Sequence, residues 1–178
     1  MILLSLGENL LLIGLAIILI GACLAFAAYF KKKKSLDEIY CTLTDIAGID
    51  NVKRVSSKIF DFDMDYNNKK FLIKMIYHPS RSEINVNSKD YWQVNEGSVS
   101  SRKSGTQMLG VYDLLNFDLE KNNYDKKTTV KLYIIYPCSN RLLKVINECE
   151  MEFIKPQTDI YGCRVNNFTD IKEKIDQF

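Results

Sequence analysis

The chain has 178 residues, 47% of them hydrophobic, with 24 Lys and Arg against 22 Asp and Glu and a single histidine, His78. That near-balance lacks the concentrated positive charge of a protein held to nucleic acid mainly through phosphate contacts. The lone histidine and the absence of any C-x-x-C pair among five cysteines argue against a zinc site and against a Ser-His or Cys-His hydrolase.

Leu10 to Phe30 is an uninterrupted run of apolar and small residues, followed at once by Lys31, Lys32, Lys33 and Lys34. A helix needs about 20 such residues to cross the hydrocarbon core of a bilayer, so the run is long enough to span. Positive charge beside a span is retained on the cytoplasmic side, and residues 1–30 hold no Lys or Arg to compete. The expected arrangement is a single-pass anchor over residues 1–34, N-terminus outside, with residues 35–178 in the cytoplasm at the cell membrane. A cleaved signal peptide wants a positive n-region and a shorter apolar core, and neither is present. Ile20-Gly21-Ala22-Cys23 loosely matches a bacterial lipobox, but cleavage there leaves an apolar stub, Leu24 to Phe30, that a lipoprotein does not need.

Of the 24 basic residues, four are the flanking lysines, which leaves 20 beyond residue 34, and only Glu8 of the 22 acids precedes them, which leaves 21. Residues 35–178 are therefore a nearly neutral stretch the size of one domain. Cys41, Cys138, Cys149 and Cys163 are widely spaced within it and read as small buried thiols in a reducing compartment.

Ser35-Leu36-Asp37-Glu38 has the form of a capping box. It predicts a helix with Leu36, Ile39, Tyr40, Leu43 and Ile46 on one face and Gly48 at its end. Ile59 to Tyr66 alternates strictly, with Phe60, Phe62, Met64 and Tyr66 on one face and Asp61, Asp63 and Asp65 on the other. Asn67-Asn68 suits a tight hairpin turn, and Phe71 to Tyr77 returns. A two-residue turn pairs Asp65 with Lys70, Met64 with Phe71, Asp63 with Leu72, and Asp61 with Lys74; a four-residue turn shifts the pairing by two and keeps both faces. His78-Pro79 reads as a strand end. Extended pieces are expected at Ile84–Val86 and Tyr91–Val94. A helix capped by Ser104 or Thr106 follows, carrying Met108, Val111, Tyr112 and Leu115 inward. Val130 to Tyr136 reads as a central buried strand. Ser139 or Asn140 opens a helix through about Met151, followed by a strand near Ile160–Val165 and a last helix from Thr169 that buries Ile171, Ile175 and Phe178. This order implies an α/β fold, a mixed sheet covered by helices.

That order, with acids and a lysine on a central hairpin, resembles the restriction-endonuclease-like PD-(D/E)XK superfamily. More narrowly it resembles the nuclease-related domain (NERD) of bacterial proteins that frequently carry membrane segments. In that family an Asp strand is followed by a Glu-x-Lys strand, a less regular strand with a Trp, and a Gln at a helix start. The matching residues are Asp61 or Asp63, then Leu72-Ile73-Lys74, then Tyr91-Trp92, then Gln107 before Met108-Leu109-Gly110-Val111-Tyr112, over roughly residues 35–137. The resemblance implies a restriction-endonuclease-like mixed β-sheet flanked by helices, with Asp61 and Asp63 holding Mg²⁺, which favours oxygen ligands. Lys74 then assists the nucleophile, and Gln107 completes the catalytic set. Two departures stand out: Leu72 occupies the second carboxylate position, and Lys103-Ser104-Gly105-Thr106 replaces the family's Asn-Pro before the Gln. Asp63 or Asp65 is the candidate substitute carboxylate.

The expected function is accordingly that of a membrane-anchored nuclease-related domain with degenerate or absent metal-dependent cleavage, binding nucleic acid or a membrane protein partner. The alternative is a non-enzymatic structural subunit of a membrane assembly. On a bland reading, Asp61 with Lys74 and Asp65 with Lys70 are cross-strand ion pairs. Trp92 is then a core aromatic, Gln107 a polar residue at a helix start, and Lys53, Arg54, Lys69, Lys70, Arg102 and Lys103 a solvated surface.

Overall fold

The computed structural model describes residues 6–77, 82–96, 105–108, 111–147 and 149–178, with side chains from residue 11 onward. The chain divides into two compact units, Met1–Asp37 and Glu38–Phe178. Helix α1 (Leu6–Ala47) is unbroken, so the capping box does not open a new helix. Ser35 Oγ instead donates back to the Lys31 carbonyl at 2.9 Å, as a mid-helix serine does. No Gly or Pro lies between Phe30 and Ser35, and extending a formed helix costs far less than nucleating a second one. From Leu11 the helix is long and apolar enough to cross a membrane by length and composition, and its apolar window is not buried within the chain. At the far end Gly48 stops it, as expected, with φ +88° and its N–H bonded to the Thr44 carbonyl at 2.9 Å.

Among the described residues the second unit holds ten strands. They are β1 (Val52–Arg54), β2 (Phe62–Tyr66), β3 (Lys69–Tyr77), β4 (Ser82–Ser88) and β5 (Tyr91–Glu96), then β6 (Thr106–Gln107), β7 (Thr129–Tyr136), β8 (Arg141–Asn147), β9 (Glu150–Phe153) and β10 (Arg164–Asn167). The short helices α2 (Tyr112–Leu115) and α3 (Ile171–Lys174) complete it. The strands form two mixed five-stranded sheets, β1-β2-β3-β7-β10 and β6-β5-β4-β8-β9, where one sheet was expected. In the first, β7 runs parallel to both β3 and β10. In the second, β4 and β8 are parallel. The chain passes from the first sheet to the second after β3 and again after β7, and returns after β6 and after β9.

The sheets share one core. Leu72, Ile76, Tyr133, Ile135 and Val165 of the first meet Ile84, Val86, Trp92 and Leu142 of the second, with Val111, Leu114 and Leu115 around α2. Phe62, Met64, Phe71, Ile73, Met75, Leu132 and Ile134 alternate with that set and are buried on the opposite face. There the Tyr40 ring of α1 stacks on Phe62 at 6.4 Å. Ile39 and Leu43, at the spacing read from the sequence, are fully buried.

Of two expected helices, one starts as a strand and keeps only the single turn α2, and the other is a hairpin. Thr106–Gln107 pairs with β5, and Met108 N–H donates to the Trp92 carbonyl at 2.8 Å. Of the positions expected to point inward, Met108, Val111 and Leu115 are buried and Tyr112 is half-buried, but on this extended start and one helical turn. The segment read as a helix from Ser139 through Met151 is the β8–β9 hairpin. Ser139 does not cap: its hydroxyl donates to the Ser82 carbonyl at 2.9 Å and ties the two crossovers together. Leu142, Leu143, Ile146 and Cys149 satisfy a helical period, but β-branched Val145 and Ile146 fit a pleated sheet, and β4 offers an open ladder. Around β10, Ile160 bridges Cys163 before the strand itself starts at Arg164. The last helix is α3 flanked by 3₁₀ turns, with Ile171, Ile175 and Phe178 buried as expected. His78-Pro79, Ser104, Arg102 and Lys103 lie outside the described residues.

Candidate functional site

The turn between β2 and β3 takes positive φ at both central residues, Asn67 at 49° and Asn68 at 60°. Short polar side chains tolerate that conformation, and it is the turn that closes a two-residue hairpin. The register is the one read for such a turn: Asp65 faces Lys70, Met64 faces Phe71 and Asp63 faces Leu72. Asp61 extends the ladder below β2, its N–H donating to the Ile73 carbonyl at 2.8 Å.

This geometry sorts the charges into two groups. Asp61 Oδ2 accepts the Met75 N–H at 2.8 Å, and Oδ1 lies 3.7 Å from Lys74 Nζ, both side chains about 15% exposed. Lys74 Nζ also donates to the Lys58 carbonyl at 2.7 Å. Lys70 Nζ sits 3.0 Å from both Asp63 and Asp65. Burial pulls the Lys70 ammonium pKa down, but hydrogen bonds to Asp65 and Asp63 outweigh it and leave it above the ordinary lysine value. Asp63 and Lys74, grouped by the family resemblance, therefore belong to different ion pairs.

Leu72 decides the centre of this face. It lies opposite Asp63 on one side and Lys131 on the other, and it is fully buried in the core between the sheets. A carboxylate there would leave water for an apolar site, which costs several kcal/mol unless paired. The donor set does not fit a divalent cation, because Asp61 and Asp63 each already face an ammonium and Leu72 has no oxygen to offer. Among the described residues no three His, Cys, Asp or Glu gather as a ligand set.

Gln107 stands on β6 of the second sheet, opposite Gln93. Its Nε2 donates to Tyr112 Oη at 2.8 Å, and Tyr112 Oη donates to the Asp90 carbonyl at 2.9 Å. The pair ties α2 to the β4–β5 turn. Trp92 is a core residue, fully buried, its ring edge-on to Tyr133 at 5.4 Å. The Tyr133 hydroxyl donates to the Val111 carbonyl, and burial pushes its phenol pKa well above the ordinary value.

Among the described residues, three of the basic residues serve separate local contacts. Arg54 lies over the Tyr40 ring at 4.3 Å, Lys69 donates to the Phe178 carbonyl, and Lys70 serves the aspartates. The cysteines are all free and only Cys163 is buried; Cys41 and Cys149 are exposed and Cys138 is intermediate, which corrects the expectation of buried thiols. Burial pushes the Cys163 thiol up to about 12.

Sequence reasoning missed Lys131, a charge inside the apolar run of β7 that is only 8% exposed. The signal was there: one lysine interrupting Val130 to Tyr136. It also missed the polar side of β4, where Glu83 and Asn85 are buried and Asn85 Nδ2 donates to Glu83 Oε1 at 3.3 Å; the alternation of polar 83 and 85 with apolar 84 and 86 marks it.

Comparison with protein-family models, with curated proteins and with solved structures finds no match to this chain. What defines it is its architecture: an α/β protein of two mixed sheets behind a long apolar N-terminal helix.

Proposed function

We propose that this chain is a membrane-anchored binding protein, a degenerate relative of the nuclease-related domain in which a partner is held rather than a phosphodiester cleaved. The observation that carries this reading is Leu72, fully buried at the position where such a nuclease needs its second carboxylate. Support comes also from the ion pairs of Asp61 with Lys74 and of Asp63 with Lys70, which neutralise the remaining candidates from within. The four lysines after the apolar run favour an N-terminus outside and residues 35–178 in the cytoplasm at the cell membrane. The near-neutral charge of residues 35–178 favours a protein partner over nucleic acid.

The test uses the full chain in a zwitterionic detergent with Mg²⁺ or Mn²⁺ and single-stranded and duplex DNA and RNA. The expected result is no cleavage above buffer and no calorimetric heat of metal binding. Cleavage that both Asp63→Ala and Lys74→Ala abolish would overturn the reading and restore the nuclease.

A further inference from the structure

A cavity of about 600 Å³ lies at the N-terminal ends of the parallel strands β7 and β10, under the segment that follows α2. Five cations line it, Lys69, Lys126, Lys127, Lys131 and Arg164, against two carboxylates, Asp118 and Asp159. Three of the cations have local partners. Lys126 pairs with Glu120 at 2.9 Å, Arg164 with Asp159 at 3.4 Å, and Lys69 donates to the Phe178 carbonyl. Among the described residues, Lys127 and Lys131 have no carboxylate partner.

Lys131 is the unusual member. It projects from a central strand, is only 8% exposed, and donates to the Leu115 and Phe117 carbonyls at 3.0 and 3.3 Å. Those two carbonyls close the end of α2, and capping a one-turn helix is a use for a lysine. It does not explain the charge. A buried ammonium costs several kcal/mol to desolvate, and two neutral dipoles offset only part of that. An ammonium has three donors, and two are taken. Lys127 lines the same cavity, so two lysines without a carboxylate partner stand on its wall.

We propose that this cavity binds a small phosphate-bearing molecule, with its anionic group seated as the counter-charge of Lys131 and steered by Lys127. A multiply charged phosphate suits the two lysines left without a carboxylate partner better than a single carboxylate does. The volume lies within the roughly 300–1,000 Å³ typical of small-molecule sites, and Phe117 and Phe178 supply an apolar wall for the body of the ligand. The proposal stands apart from the Leu72 argument and survives or fails independently of it.

The test is calorimetric titration of the full chain, in a zwitterionic detergent at low and fixed ionic strength, with ATP and separately with inorganic phosphate. Saturable one-site binding is expected, stronger for ATP and weakened by added NaCl. Lys131→Met keeps the stem and removes the charge, and is expected to lower affinity at least tenfold. Lys127→Met is expected to lower it several-fold and to flatten the salt dependence, while Glu152→Ala, on exposed β9, leaves it unchanged. Should Lys131→Met fail to fold, Lys127→Met carries the same test. Binding of inorganic phosphate as tight as that of ATP narrows the ligand to the phosphate group alone. The proposal is overturned if neither probe saturates, or if affinity is indifferent to the charge at both lysines.

Discussion

Leu72 faces Asp63 directly across the β2–β3 ladder, yet Leu72 is fully buried while the Asp63 side chain is 20% exposed and paired with Lys70. One face of one hairpin therefore passes from charged to apolar within a single residue pair. The boundary follows the sheet: β2 lies toward an edge, whereas β3 is flanked by β2 and β7 and is covered by the second sheet's side chains.

That boundary makes Leu72→Glu a sharp probe. The variant restores the family's carboxylate at the cost of burying a charge in the core, with Lys131 opposite it on β7. It is expected to lose about 3–5 kcal/mol in a denaturant titration of the full chain and to gain no metal-dependent cleavage. Stability within 1 kcal/mol of wild type would show that the site is open to water.

The two ion pairs should differ in worth. Asp61→Ala strands the Met75 N–H and leaves the part-buried Lys74 ammonium with the Lys58 carbonyl but no carboxylate, and about 1–3 kcal/mol is expected to be lost. Asp65→Ala, at a side chain 59% exposed, is expected to cost under about 0.5 kcal/mol. A double-mutant cycle on each pair measures the contrast.

The hairpin turn offers a test in the opposite direction. Asn68 holds φ near 60°, and Asn68→Gly is expected to stabilise the chain by a few tenths of a kcal/mol, since glycine adopts that region without a Cβ penalty. Asn68→Ala is expected to cost about 1–2 kcal/mol. Asn67 is the poorer site for glycine, because its Nδ2 donates to Asp176 at 3.0 Å.

Thiol labelling separates the cysteines. At pH 8, iodoacetamide is expected to modify Cys41 and Cys149 readily and to spare Cys163 until the chain unfolds. The sign of the linked pH effect follows from burial, which favours the neutral thiol and raises its pKa from 9.0 to about 12. The unfolded chain then ionises first, so this group's contribution to stability is intact below pH 9 and is lost as pH rises towards 12. Cys163→Ala is expected to flatten that part of the stability–pH curve.

Several features were legible in the sequence because they are local. Alternation with period two marked β2 and β3, a near-continuous run of β-formers marked β7, the Asn-Asn pair marked the hairpin turn, and a period near 3.6 marked Ile39 and Leu43 as buried. An apolar run of bilayer length, followed by lysines, marked the long helix. What tertiary structure decided is whatever depends on a partner strand or on a neighbour's volume. Leu142 to Ile146 carry both periods, and only the ladder offered by β4 made them a strand. Ser35 could cap or continue a helix, and the turns already formed on either side made it continue. Asp61, Asp63, Lys74 and Gln107 follow the family order along the chain, but the fold sends them to two ion pairs and a second sheet. Sequence order specifies which residues share a strand face; it does not specify which faces the sheets bury, and that burial separates a metal site from an ion pair.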